Sequence, residues 1–169
     1  KLITARTTDE LVENLKETEY YAPLKKIKDT DNVTLYDYNL ALDLYYYTST
    51  WKEQKKILKK SDLELFMRDR GSKIDLLNIQ WIYRAKKYYN MKPADIYLML
   101  IPIHYKLSTE LVKDMVEAPG VEEFENVVIR TTYARHYNFK QNLTMEQMYA
   151  DCLHHLYTAD RRKNPYSVS

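Results

Sequence analysis

The side chains best equipped for chemistry are few and fall late in the chain. Cys152, His154 and His155 are near neighbours, and Cys152 and His155 have the i, i+3 spacing that sets two side chains on one helix face. Two ligands so placed are half of a tetrahedral zinc site. The remaining histidines, His104 and His136, are distant in sequence, and no Glu-x-x-His or His-Glu-x-x-His motif supplies the usual ligands of a di-iron or zincin centre. A cysteine nucleophile needs exposure and an activating histidine. Cys152 instead shares an apolar helical stripe with Met145, Met148 and Leu156, which predicts burial. The pair Glu122-Glu123 opens a predicted helix, where the dipole accounts for it without acid–base work. No catalytic, cofactor or metal site is expected.

The elements that would position such groups narrow the choice further. Only 2 glycines, Gly71 and Gly120, occur in 169 residues. Phosphate-cradling loops need several glycines for close backbone approach, so a Walker A loop or dinucleotide fingerprint is excluded. Hairpin turns also favour glycine, and no stretch alternates with period two. Helix signals are plentiful. Ser61 and Glu64 have capping-box spacing. After them Leu63, Met67, Arg70, Ile74, Leu77, Trp81, Ala85 and Tyr88 recur every three or four residues, predicting one long helix to Asn90, bent near Gly71. Further helices are expected from Thr8 to about Tyr21, from about Thr34 after Asn32, and from Ala94 to Leu100 behind Pro93. Others should run from Ser108 to Ala118, from Glu122 to about Tyr133, and from the Thr144/Gln147 box through Leu156. The expected class is all-α.

An internal repeat runs through these elements. At an offset of 113, Ala5 meets Ala118, Leu2 meets Met115, Glu10 meets Glu123, Leu11 meets Phe124, Leu15 meets Val128, Thr18 meets Thr131 and Tyr20 meets Tyr133. At 110, Leu35 meets Met145, Leu42 meets Cys152, and Tyr47-Thr48 meets Tyr157-Thr158. Two tandem helical units are therefore expected, 1–113 and 114–169, the second cut short before its long helix. The chain opens Lys-Leu-Ile-Thr without an initiator Met or a signal-peptide layout, and it reads as part of a longer protein.

Composition fits a globular protein with broad contact surfaces. A single cysteine points to a reducing compartment, and no apolar run approaches the ~20 residues of a membrane span. Net charge is +2, too small for tight non-specific nucleic-acid binding. Lys52, Lys55, Lys56, Lys59 and Lys60 form the densest basic run. It reads first as a solvated helix face, and second as a contact for an acidic partner or lipid headgroups. The 17 tyrosines suit helix seams and wet interfaces.

One resemblance gathers the polar residues left over. Ile74-Asp75-Leu76-Leu77-Asn78-Ile79, Tyr83-Arg84-Ala85-Lys86, Leu100-Ile101-Pro102 and Lys106-Leu107-Ser108 follow one another. After them come Ala118, Glu122-Glu123-Phe124, Thr131 and Tyr133 in order, then Asn164-Pro165-Tyr166-Ser167-Val168. This series resembles the C-type subunits of V/A-type (vacuolar/archaeal-type) ATPases, named d in eukaryotes. One departure is Ile103-His104, where that family has Gly-Gly, so the turn should differ or carry strain. The resemblance implies a funnel of three related helical units and no catalytic residues. It implies a rotor adaptor that links the D and F proteins of the central stalk to the membrane rotor ring, which is built of c/K subunits. Such an adaptor transmits torque coupled to proton or sodium transport, and lies peripherally at the cytoplasmic face of the membrane. Asp75, Asn78, Arg84, Lys86, Pro102, Thr131 and Tyr133 are then structural motif residues, and the lysine run a candidate interface. A helical-repeat scaffold for some other partner, unrelated to ATPases, would share the same periodicity.

Overall fold

A computed structural model describes residues 4–30, 32–136 and 144–163 of the chain. Among these residues every regular element is a helix, and none is long and apolar enough to cross a membrane. The chain divides into two compact units, Lys1–Ile57 and Leu58–Ser169. This division does not fall at the repeat boundary expected near residue 113, because a repeat in sequence and a compact unit in space partition the chain differently.

Unit 1 holds α1 (Thr8–Asn14), α2 (Tyr21–Lys28) and α3 (Leu35–Ile57). Thr7 caps α1 by accepting from the Glu10 amide at 3.1 Å, and the Glu10 carboxylate accepts in turn from the Arg6 amide. The helix expected to continue to Tyr21 ends at Asn14. Thr18 turns the chain by donating both its amide (2.8 Å) and its hydroxyl (2.7 Å) to Leu15 O, and α2 starts afresh. A Lys28–Glu13 ion pair of 3.1 Å ties α2 back to α1. At the start of α3 the Thr34 hydroxyl and amide both donate to Asp37, and they hold its carboxyl below the usual range, the hydroxyl most of all. Val12, Leu24 and Tyr38 make a small core, with Leu15, Tyr21, Ile27, Val33 and Leu42 packed around it.

Unit 2 is built on α4 (Lys60–Tyr89), followed by α5 (Pro93–Met99), α6 (Thr109–Glu117) and α7 (Val121–Val128). A short 3-10 helix (Thr132–His136) and α8 (Met145–Lys163) complete it. α4 packs against α6, α7 and α8, so its central residues are buried on most sides: Leu76, Ile79, Ile82, Tyr83 and Ala85 meet Phe124, Val128, Met145, Met148 and Cys152 in one core. The Ser61/Glu64 capping box does not form. The N-cap of α4 falls two residues earlier, at Lys59, with no side-chain cap. Its other end closes as expected for a residue type that tolerates left-handed backbone: Asn90 has φ 46°, and the Met91 amide reaches Ala85 O. Ser108 caps α6, and Thr144 and Gln147 exchange reciprocal bonds before α8.

α7 also stops short of the expected Tyr133, by the device that ends α1. Thr131 donates its amide (2.9 Å) and hydroxyl (2.7 Å) to Val128 O. These residues stand 113 positions after Leu15 and Thr18, and α7 and α8 begin 113 and 110 positions after α1 and α3. Leu2, a member of the internal repeat, and the motif segment Asn164–Val168 lie outside the described residues.

Candidate functional site

The polar residues of α4 come together with the loop that follows α5. Asp75 and Asn78 stand about one turn apart on one face and are fully buried. The Asn78 side chain pairs with the backbone of Ile101, donating to its carbonyl at 2.9 Å and accepting from its amide at 3.0 Å. Asp75 accepts from three successive amides, Tyr105 at 3.0 Å, Lys106 at 2.7 Å and Leu107 at 3.2 Å, and from the Tyr133 hydroxyl at 2.7 Å. A buried carboxylate needs strong compensation. Here it comes from these neutral donors. Burial, aided by the Asp75 charge, pushes the Tyr133 phenol far up, which keeps it a donor. The partners are mainly loop backbone rather than the side chains of another helix.

That loop explains the missing glycines. Between Ile101 and Ile103 the chain makes a γ-turn about Pro102, with the Ile103 amide 2.8 Å from Ile101 O, a geometry close to the φ proline imposes. Among the described residues only Asn32 and Asn90 have positive φ without being glycine. Ile103 and His104 therefore occupy ordinary backbone, and of the two alternatives, a different turn or strain, positive-φ strain is not the one seen. Ile103 is buried, while His104 and Pro102 are exposed.

Gly71 lies one turn before Asp75, buried under Tyr105. A Cβ there would sit 2.6 Å from Tyr105 Cγ and 2.7 Å from its Cβ. The glycine serves close approach of the loop, a packing reason for a residue whose expected role was to bend the helix. Nothing in the local sequence signals this, since the partner is 34 residues away.

Other motif residues bind α4 to its neighbours with unequal strength. The Lys86 ammonium donates to Val116 O (2.7 Å) and Ala118 O (2.6 Å), satisfying carbonyls at the end of α6. Burial lowers its pKa. Replacing it by Met should cost about 2 kcal/mol, because the Val116 and Ala118 carbonyls lose their charged donor. Chemical denaturation of the variant against the parent reads this, and an unchanged midpoint would mean the bonds contribute nothing net. Arg84 reaches Glu146 at 3.4 Å, with both side chains partly exposed, and such a pair adds little. Thr131 is buried and acts in the turn already described.

The lysine run is not one helix face. Lys52, Lys55 and Lys56 are exposed on α3, where Lys55 and Lys56 suit the negative end of its dipole. Lys59 and Lys60 open α4 instead, an unfavourable place for cations that Asp62 in the same turn offsets. Cys152 is buried and gives its thiol to Tyr133 O at 3.7 Å, while His154 and His155 are exposed. Burial pushes the thiol up to about 11. Among the described residues no three His, Cys, Asp or Glu side chains are grouped for a metal ion. Iodoacetamide should label Cys152 more than about a hundredfold more slowly in the native protein than in urea. Equal rates, followed by mass spectrometry, would disprove an inert core thiol.

Comparison with known proteins extends this geometry. A family model described as ATP synthase (C/AC39) subunit matches residues 1–169. The C subunit of the A-type ATP synthase of Methanosarcina mazei is 32% identical over 133 residues, covering 79% of this chain and 35% of that protein. Its counterpart from Methanosarcina barkeri is 29% identical over the same extent. The chain thus spans about a third of the length of these curated relatives. No solved structure matches.

Proposed function

The chain belongs to the ATP synthase (C/AC39) subunit family, and on that premise we propose that it is a non-catalytic rotor adaptor of a V/A-type ATPase. In this reading it joins the D and F proteins of the central stalk to the membrane rotor ring of c/K subunits. It carries torque between them, coupled to proton or sodium transport, from a peripheral position at the cytoplasmic face. The observation that carries the reading is the family match along all 169 residues.

The chemistry of the site supports it. Asp75, Asn78 and Lys86 spend their polar atoms on backbone groups of the same unit, which suits a part that must hold shape under load rather than bind a substrate. A torque-bearing element needs secondary structures that cannot slide past one another. Hydrogen bonds of fixed length across α4 and the loop resist such sliding better than apolar contact alone, because they have one register.

Pull-down of the intact, folded protein with the purified D and F proteins, and separately with the rotor ring, tests the reading. Retention by the stalk pair or by the ring is expected. Folded protein that binds neither overturns it.

A further inference from the structure

Unit 2 shows what a corner between two tyrosine rings can hold. On α4 the rings of Tyr83 and Tyr88 stand 6.3 Å apart at 86°, and the Lys87 ammonium lies over both, 4.9 Å from one centre and 5.4 Å from the other. The negative ring faces attract the cation, and the Tyr83 hydroxyl accepts one of its N–H bonds. Unit 1 has a second pair of this kind. Tyr20, just before α2, and Tyr45 on α3 stand 6.0 Å apart at 75°. Tyr20 is 42% exposed and Tyr45 half-buried. Among the described residues no lysine or arginine lies over either ring. The acceptor here is a carboxylate, since Glu19 accepts from the Tyr45 hydroxyl at 3.3 Å. That bond is long for two oxygens, so the exposed carboxylate keeps most of its accepting capacity. Burial first, and then the Glu19 charge, pushes the Tyr45 phenol up, with Glu53 further along α3 adding to it. Among the described residues neither Glu19 nor Glu53 has an ion pair.

We propose that the corner between Tyr20 and Tyr45, with the Glu19 carboxylate beside it, receives a lysine side chain of a partner protein. Charge selects a cation, because two ring faces and two nearby carboxylates all favour positive charge. The Glu19 oxygens select a primary ammonium, which brings N–H donors that a quaternary ammonium lacks. The lysine stem can lie along the rings as its head reaches the carboxylate, and Lys87 shows the same head held between two tyrosines of this protein. Such a contact acts as one anchor within a larger interface. The proposal stands apart from the rotor reading, which the stalk and ring pull-downs test separately.

The test titrates Nα-acetyl-lysine amide into the 169-residue protein at constant ionic strength and follows the tyrosine ring resonances by NMR. Saturable shifts of Tyr20 and Tyr45 are expected, with a Kd on the order of 10–100 mM for a single side chain. The Nε-acetylated form, which has no charge, should leave both rings unmoved. Tyr20→Leu and the exposed substitution Glu19→Gln should each weaken binding about threefold. Tyr20→Phe, which keeps the ring, should bind as the parent does. The edge-to-face pair Tyr46 and Tyr47 on α3 is the internal control. Equal shifts there would show a general response of tyrosines to cations and overturn the proposal. Rings that do not respond, or that respond alike to the charged and the acetylated forms, would reduce the corner to packing and also overturn it. Binding indifferent to Tyr20→Leu or to Glu19→Gln would do the same. Tighter binding of the Nε-trimethylated form would make a quaternary ammonium the ligand, which overturns the assignment to lysine.

Discussion

Asp75→Ala is expected to destabilise unit 2 by about 4 kcal/mol, among the largest effects of any single substitution in the chain. The substitution leaves the Tyr105, Lys106 and Leu107 amides and the Tyr133 hydroxyl without their acceptor. Leu107 and Tyr133 are buried, so water replaces the lost bonds only where the loop opens. Asp75→Asn should cost less, about 2 kcal/mol. An amide oxygen in the place of Oδ2 keeps three of the four donors, but its NH2 then faces the Tyr105 amide, donor against donor. Urea unfolding in a Trp51→Phe background checks both, because Trp81 on α4 then reports unit 2. An Asp75→Ala midpoint equal to the parent's would show that the bonds carry no net stability.

Gly71→Ala sets two effects of opposite sign against each other. Alanine in a helix interior gains about 1 kcal/mol over glycine, and if nothing else mattered the variant would be more stable. The new Cβ would meet Tyr105 at its Cγ and Cβ, and a χ1 change can move the Cγ but not the Cβ, which is fixed to the backbone. The loop cannot lift away cheaply, since the Tyr105 amide is bonded to Asp75. Overpacking of this kind costs about 1–3 kcal/mol beyond the propensity gain, so net destabilisation of about 2 kcal/mol is expected. Tyr105→Gly removes both contacted atoms. In that background Gly71→Ala should become neutral or stabilising, a reversal that a double-mutant cycle measures directly. A parent-background gain in stability would refute the close-approach reading.

Local signals are legible where the chemistry is local. The caps at Thr7, Ser108 and Thr144 lie within four residues of their partners, and Pro93 opens α5 as its fixed φ allows. Periodicity misleads where a competing short-range bond wins. Lys16 to Glu19 are acceptable helix formers, yet the Thr18 bonds to Leu15 O end α1 and break the continuous pattern. Ser61 has the right box spacing, but the helix has already begun at Lys60. Asp75 and Asn78 stand i, i+3 beside the apolar stripe, a spacing that leaves a shared partner and a solvent edge equally open, and the partners that decide it lie 23 to 58 residues away. The uses of Gly71 and Lys86 depend on groups about 30 residues away, and no window of sequence contains that information.

The separations that hide these contacts also bear on how unit 2 acquires its structure. The hydrogen bonds of Asp75, Asn78, Arg84 and Lys86 link residues 23 to 62 positions apart. Each such tie must close a long loop before it returns any energy. Early helical segments therefore gain little from one another until the chain around Asp75 has collected its distant partners. Refolding of this unit should be slow for a helical protein, and its amides should open together rather than in succession.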